Sequence, residues 1–91
     1  NENLFVLRVK GDSMINDQIS DGDYVVMLRQ KTARKGQIVV AITDNGEATL
    51  KRWFPEKNRI RLEPANSNMK PIYVKDARVL GTVVGVVRKV Q

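Results

Sequence analysis

The chain has 91 residues, with 16 Lys or Arg against 10 Asp or Glu and a net charge of +6. This length suits one domain with a single modest core. A composition of 42% hydrophobic and 29% charged residues excludes a disordered segment, and no run approaches the ~18 apolar residues of a membrane span. Since the chain has no Cys and no His, we expect no disulfide, no zinc site and no cofactor.

Short strands and turns are predicted through the first half of the chain. In Leu4–Lys10 (LFVLRVK) apolar and basic residues alternate, as a half-buried strand requires. Asp21-Gly22-Asp23 predicts a turn before a second strand, Tyr24–Arg29. Gln37–Thr43 (QIVVAIT) is rich in β-branched residues and predicts a third strand.

The second half begins with a predicted hairpin, because Asn45-Gly46 separates two strand-like runs. Its second strand is Glu47–Phe54, and RIRLEP and PIYV indicate two further short strands. Val79–Val90 predicts a long last strand, in which Gly81 and Gly85 indicate a bend or a bulge. No segment predicts a helix longer than a turn or two. The sequence therefore predicts a mostly β, single compact domain over residues 1–91.

Ser13, in the stretch Gly-Asp-Ser-Met, is a candidate nucleophile, but the chain has no histidine to activate it. The strand Glu47–Phe54 supplies another base, because alternation places Thr49, Lys51 and Trp53 on one face. A lysine among apolar neighbours is desolvated, which lowers its pKa and favours the neutral amine. Ser-Lys pairs are a known variant of the catalytic triad. We therefore predict Ser13 and Lys51 as a catalytic pair.

Each residue also has a structural interpretation. Ser13 could be a turn serine that caps a short helix. Lys51 could be a surface lysine on a strand edge, where lysine opposes aggregation. From spacing alone, these alternatives stay open.

Basic residues cluster in Arg29–Lys35 and in Lys51–Arg61, the second with five positive residues against one Glu. Such clusters can bind phosphates, or they can simply be a solvated surface. No helix-turn-helix, zinc-finger or RNA-binding aromatic motif accompanies them. Direct DNA binding by this chain is therefore the less favoured hypothesis.

The chain resembles the catalytic domain of the LexA repressor family, which includes UmuD-type polymerase subunits and lambdoid phage repressors. The resemblance rests on GDSM at Ser13 and on I-x-DGD-x-V at Ile19–Val25. It continues through GQIVVA and EATLKR, then LEPANSNMKPI and VLGTVVGVVR, and so covers nearly the whole chain.

The resemblance implies a signal-peptidase-like β-fold with Ser13 as nucleophile and Lys51 as general base. Thr49 and the Ile72 carbonyl would be partners of the lysine amine. Backbone amides near Asp12 and Ser13 would form the oxyanion hole. Members of this family cut themselves, commonly at an upstream Ala-Gly bond, when a RecA filament on single-stranded DNA stabilises the cleavable conformation.

The chain departs from a full repressor, since only 12 residues precede Ser13 and no Ala-Gly or Cys-Gly dipeptide occurs. We expect the DNA-binding domain and the cleavage segment to lie outside it, so that operator DNA would be bound only through the missing domain. The favoured function is the self-cleaving domain of a bacterial, cytoplasmic repressor of the SOS DNA-damage response. The alternative is a UmuD-type polymerase accessory subunit or a non-catalytic dimerisation module.

The resemblance also suggests a homodimer formed through Val79–Val90. This segment has more valines than one buried face of a strand can use, so some could pack against a two-fold partner. A central strand buried on both faces would explain them equally well.

Overall fold

A computed structural model describes residues 2–89 and shows a mostly β domain, which confirms the predicted fold class. The predicted strands all occur, although their ends move by a few residues. The last strand starts at Ala77 and ends at Val87, and Val90 of the predicted strand lies outside the described residues. The elements are β1 (Leu4–Arg8), a 3-10 turn (Ile15–Asp17), β2 (Tyr24–Arg29), β3 (Ile38–Thr43), β4 (Ala48–Pro55), β5 (Ile60–Glu63), β6 (Ile72–Val74) and β7 (Ala77–Val87).

The strands form one antiparallel sheet in the order β1-β2-β7-β3-β4-β5-β6. The last strand, β7, lies between β2 and β3 and so joins the first hairpin to the rest of the sheet. Three strands separate β1 from β4 in this order, yet both strands line one cleft. The sheet must therefore curl so that β1 faces β4 across the cleft.

Alternation along β3 divides the core into two clusters. Val40 packs into the cluster of Met14, Ile19, Val25 and Met27, with Leu50 of β4 against it. Val39 and Ala41 point the other way and pack with Trp53, Leu62 and Val79. Because successive side chains of a strand face opposite sides, one apolar strand contributes to both clusters.

Two bulges in β7 lie beside the two glycines, as the sequence predicts. Val26 pairs with Gly85 but Met27 pairs with Val83, so one residue of β7 is extra at this point. A second register shift immediately precedes Gly81 in β7, since Gly81 pairs with Val40 while Val79 pairs with Ala41. Bulges bend a strand and increase its twist, and here they assist the curl that brings β1 over β4.

The buried Asp23 anchors the chain after β7 to the turn before β2. Its Oδ1 accepts from Arg88 Nε at 2.9 Å, and its Oδ2 accepts from Arg88 Nη2 at 2.8 Å and from the Ser20 backbone N–H at 2.8 Å. The hydrogen bonds from Arg88 are the main cause that lowers the pKa of Asp23 to about 2. The carboxylate therefore stays ionised and paired at neutral pH.

We predict that Gly81→Ala destabilises the domain. A Cβ at this position would lie 2.7 Å from the Leu28 backbone oxygen and 3.0 Å from the Phe5 ring. Relief of such overpacking costs ~1–3 kcal/mol, which thermal unfolding would show as a lower melting temperature. Gly85→Ala is the matched control, because its Cβ would meet its nearest neighbour, Val26 Cβ, at 3.8 Å. Equal melting temperatures for the two variants would contradict the packing described.

Candidate active site

Ser13 lies in the loop between β1 and β2, two residues before the 3-10 turn, and its main chain is anchored by the segment after β5. The Ala65 N–H donates to the Ser13 carbonyl at 2.7 Å, and the Asn16 N–H donates to the Ala65 carbonyl at 2.6 Å. Asn66 Nδ2 donates to the Asp12 carbonyl at 2.8 Å. These bonds fix the backbone on both sides of the serine.

Sequence reasoning gave Ala65 and Asn66 no role. Their segment contributed to the family resemblance, but a contact across more than fifty residues leaves no periodic signal in a single sequence. The side chain that supports the loop, Asn66, is of a type that turns commonly contain for local reasons.

Lys51 lies on β4 with its amine directed at the serine. Lys51 Nζ donates to Ser13 Oγ at 3.2 Å and to Thr49 Oγ1 at 2.7 Å. Only 6% of Lys51 is exposed, and this burial lowers the pKa of its amine. Desolvation disfavours the ammonium form. Burial therefore favours the neutral Lys51 amine, which is the form that can accept a proton.

For both residues the structure disagrees with the structural interpretation that the sequence left open. Lys51 is not a surface lysine, because it is buried. The cap position of the 3-10 turn is Met14, and no side chain caps the turn. Ser13 therefore does not cap a helix, and its hydroxyl is instead the acceptor of the lysine bond.

Of the other predicted site residues, Thr49 contacts the lysine amine and Ile72 does not. Asp12 is exposed, and within residues 2–89 neither its backbone N–H nor that of Ser13 donates to a protein acceptor. Ile72 begins β6, pairs with Leu62 and is 42% exposed. No hydrogen bond in the described part of the chain joins Ile72 to Lys51, so the structure does not bring its carbonyl to the amine.

A cleft of about 290 Å³ runs past the serine and the lysine. One wall is Leu7–Lys10 at the end of β1, and the other is Ala48–Lys51 of β4. Val25 and Val40 also line it. Because β5 pairs with β4 only from Arg52 onward, the cleft side of Ala48–Lys51 is not covered by that strand. The cleft thus has an open strand edge, and its lining mixes apolar side chains with the polar Arg8, Lys10 and Thr49.

Most of the positive charge of the predicted basic cluster Lys51–Arg61 is paired with carboxylates or buried. Lys51 is buried, and three of its arginines pair with carboxylates: Arg52 with Asp17, Arg59 with Glu56, and Arg61 with Glu56 and Glu63. This arrangement favours the interpretation as a solvated surface over a phosphate-binding patch.

Between residues 2 and 89, no helix has the length and apolar character needed to cross a membrane. In the same range, no three His, Cys, Asp or Glu side chains come together as a metal site would require.

Comparison with known proteins identifies the family. The model of the Peptidase S24-like family matches residues 1–84. This chain belongs to that family. It is also similar to LexA repressors of Geobacillus sp. (strain WCH70), at 54% identity over 87 residues, and of Staphylococcus aureus (strain Newman), at 49% over 89 residues. These matches cover 96% and 98% of this chain.

The S24-like chain spans less than half the length of these relatives, 42% of the first and 43% of the second. A LexA repressor of Exiguobacterium sibiricum shows the same proportion, with 49% identity over 90 residues and 44% of its length covered. The match supports a LexA-type repressor domain of the Peptidase S24-like family.

We predict that Lys51→Met stabilises the S24-like domain, or at least does not destabilise it, at pH 7. Methionine fills similar space without the cost of a buried amine. In the wild type the native state binds fewer protons than the unfolded state between the lowered and the ordinary pKa, so stability rises with pH across that window. Thermal unfolding from pH 6 to 10 should show this rise for the wild type and a smaller rise for Lys51→Met.

Lys57→Met serves as the control, because Lys57 is exposed in the turn between β4 and β5. It should leave both the melting temperature and its pH dependence unchanged. A large loss of stability in Lys51→Met at pH 7 would contradict the cost assigned to the buried amine.

Proposed function

We propose that this S24-like domain is the self-cleaving part of a LexA-type repressor of the DNA-damage response, with Ser13 as nucleophile and Lys51 as general base. The observation that supports it most is the 3.2 Å contact between the Lys51 amine and the Ser13 hydroxyl. The amine is buried, its pKa is lowered, and the serine lines an open cleft. These are the features that a nucleophile and its base require.

In the proposed mechanism, neutral Lys51 takes the Ser13 hydroxyl proton as Oγ attacks the carbonyl carbon of the bound peptide. The Asp12 and Ser13 backbone N–H groups, which have no protein acceptor in the described range, are the proposed donors to the oxyanion. The Lys51 ammonium then protonates the leaving amine. Water, deprotonated by Lys51, hydrolyses the acyl-serine and restores the pair.

Thr49 has a supporting part in this mechanism. Its Oγ1 accepts from Lys51 Nζ at 2.7 Å, closer than Ser13 Oγ. This contact restricts the lysine side chain to the rotamers that direct its amine at the serine. A fixed amine avoids the entropy of ordering a long side chain during the reaction.

The proposed substrate is an extended peptide segment, since one wall of the cleft is a strand edge. The apolar part of the lining, which includes Leu7, Val25 and Val40, favours small or apolar residues in that segment. In the full protein this segment would be the upstream Ala-Gly region, presented to the site when a RecA filament on single-stranded DNA binds. The similarity to LexA repressors favours this proposal over the UmuD-type alternative. An upstream DNA-binding domain in the full-length protein would separate the two.

We also propose that the domain forms a homodimer through the outer face of β1, β2 and β7. In β7, Val79 is buried, but Val87 is 55% exposed, so the valines are not explained by a strand buried on both faces. The strand register places Val87 beside Tyr24, with Val6 on the same face of β1. Val6 is 57% and Tyr24 39% exposed. A contiguous exposed apolar face of this kind is typical of an isologous interface.

The cleavage proposal predicts slow cutting of a peptide that contains the family's Ala-Gly segment, supplied in trans and followed by mass spectrometry. Ser13→Ala and Lys51→Met should each lower the rate by at least ~10³-fold, as loss of a nucleophile or its base does in related hydrolases. Lys57→Met should cut at the wild-type rate. A Ser13→Ala protein that still cleaves would end the assignment of the nucleophile.

The dimer proposal predicts that Val87→Glu converts the domain to a monomer in sedimentation velocity, because a carboxylate would be buried in the interface. Its melting temperature, extrapolated to low protein concentration, should stay near that of the wild type, since Val87 is exposed in the monomer. Met69→Glu, at an exposed apolar residue outside this face, is the control and should remain dimeric. A wild-type protein that is monomeric at high micromolar concentration would contradict the proposal.

A further inference from the structure

Arg52, the residue after Lys51, makes a second connection between β4 and the segment that carries Ser13. Arg52 Nε donates to Asp17 Oδ2 at 2.9 Å, and Arg52 Nη1 donates to the Gly36 carbonyl at 2.5 Å. Asp17 ends the 3-10 turn that begins two residues after Ser13. Neither Asp17 nor Arg52 lines the cleft.

The position of Arg52 on the strand gives this contact its geometry. Consecutive residues of a strand project to opposite faces, so Lys51 and Arg52 leave β4 in different directions. They nevertheless meet the same short segment, Lys51 at Ser13 and Arg52 at Asp17. The segment is thus attached to β4 at two points, one on each side of the strand.

The remaining bonds of this segment lead elsewhere. Asp12, Ser13 and Asn16 bond to Ala65 and Asn66, and the Gln18 carbonyl accepts from Arg88. Within residues 2–89, the only hydrogen bonds that link residues 12–18 to β4 are the Lys51–Ser13 and the Arg52–Asp17 bonds. If Arg52–Asp17 is removed, the direct links that remain between residues 12–18 and β4 are the Lys51–Ser13 bond and the apolar packing of Met14 near Leu50. The bonds to Ala65, Asn66 and Arg88 still hold the segment, but they do not connect it to β4.

We propose that Arg52 is a positioning residue that acts through Asp17 to set the separation of the Ser13 hydroxyl and the Lys51 amine. The proposal rests on the proposed function, since it gives Arg52 a part in the same reaction. The second bond, to the Gly36 carbonyl, orients the guanidinium toward Asp17. A guanidinium suits this task because its planar fork can serve two acceptors in fixed directions, whereas an ammonium cannot.

The test compares Asp17→Ala, Arg52→Gln, the double variant and Arg52→Lys in cleavage of the Ala-Gly peptide in trans. Asp17→Ala and Arg52→Gln should each lower kcat by ~10- to 100-fold, because a small displacement of a reacting group costs this much, with KM changed less than ~2-fold. The double variant should be no slower than the slower single variant, since both remove one contact. Arg52→Lys should recover part of the lost rate.

The pH profile supplies a readout that general destabilisation would not move. A displaced loop admits water to the Lys51 amine, and water favours the ammonium form. The acid limb of the kcat profile should therefore move to higher pH in Asp17→Ala and Arg52→Gln. Arg59→Gln, which removes an arginine–carboxylate pair remote from Ser13 on the turn after β4, should leave both the rate and the profile unchanged.

Failure of the proposal can be told from failure of the function. If the wild type cleaves but Asp17→Ala and Arg52→Gln match it in kcat and pH profile, the positioning role is wrong. If the wild type does not cleave, the proposed function fails. The pKa of Lys51, measured by NMR, then still tests whether Arg52 and Asp17 position the serine loop against Lys51. An equal Lys51 pKa in the wild type and Asp17→Ala would then overturn the role of Arg52, and a higher pKa in the variant would support it.

Discussion

The burial of one lysine amine is the constraint on which the rest of the site depends. Lys51 is 6% exposed and has two hydroxyl oxygens, of Ser13 and Thr49, as its hydrogen-bond acceptors. An ammonium in this place is penalised by desolvation, and no carboxylate among residues 2–89 bonds to it to offset the cost. The cost falls when the amine is neutral, and a neutral amine is what the serine needs as a base. The feature that weakens the fold is therefore the feature that the proposed chemistry uses.

The architecture keeps this amine buried and close to the serine. Insertion of β7 between β2 and β3 closes the sheet around the first core cluster, and its two bulges bend it there. The serine loop is then bound on three sides, by residues 65–66, by Arg88 and by β4. A hydroxyl on such a loop has little freedom, which suits a reaction that needs atoms in near contact. The cleft remains open because β5 stops pairing at Arg52.

Much of this could be predicted from the sequence, because strands of period two with Gly and Asn-Gly turns are local signals. Alternation on β4 was enough to place Thr49 with Lys51. Sheet order was not predictable, since the pairing of β7 with β2 and β3 depends on long-range packing. The contacts of Arg52 with Asp17 and of Ala65 with Ser13 were missed for the same reason. The sequence pattern of a charged or small residue is the same whether that residue is solvated or bonded to a distant loop. Ile72, expected beside the lysine from the family resemblance, lies in β6 without a hydrogen bond to it.

The most direct test of the account is whether the amine of Lys51 controls the reactivity of Ser13. NMR of selectively labelled lysine would give the pKa of Lys51, and the rate of Ser13 labelling by a fluorophosphonate, measured across pH, would give the pKa of the group that activates the serine. If Lys51 is the base, the two values coincide and lie below the ordinary lysine value of ~10.4. A Lys51 amine that titrates at its ordinary value, or a labelling rate that does not follow its titration, would contradict it.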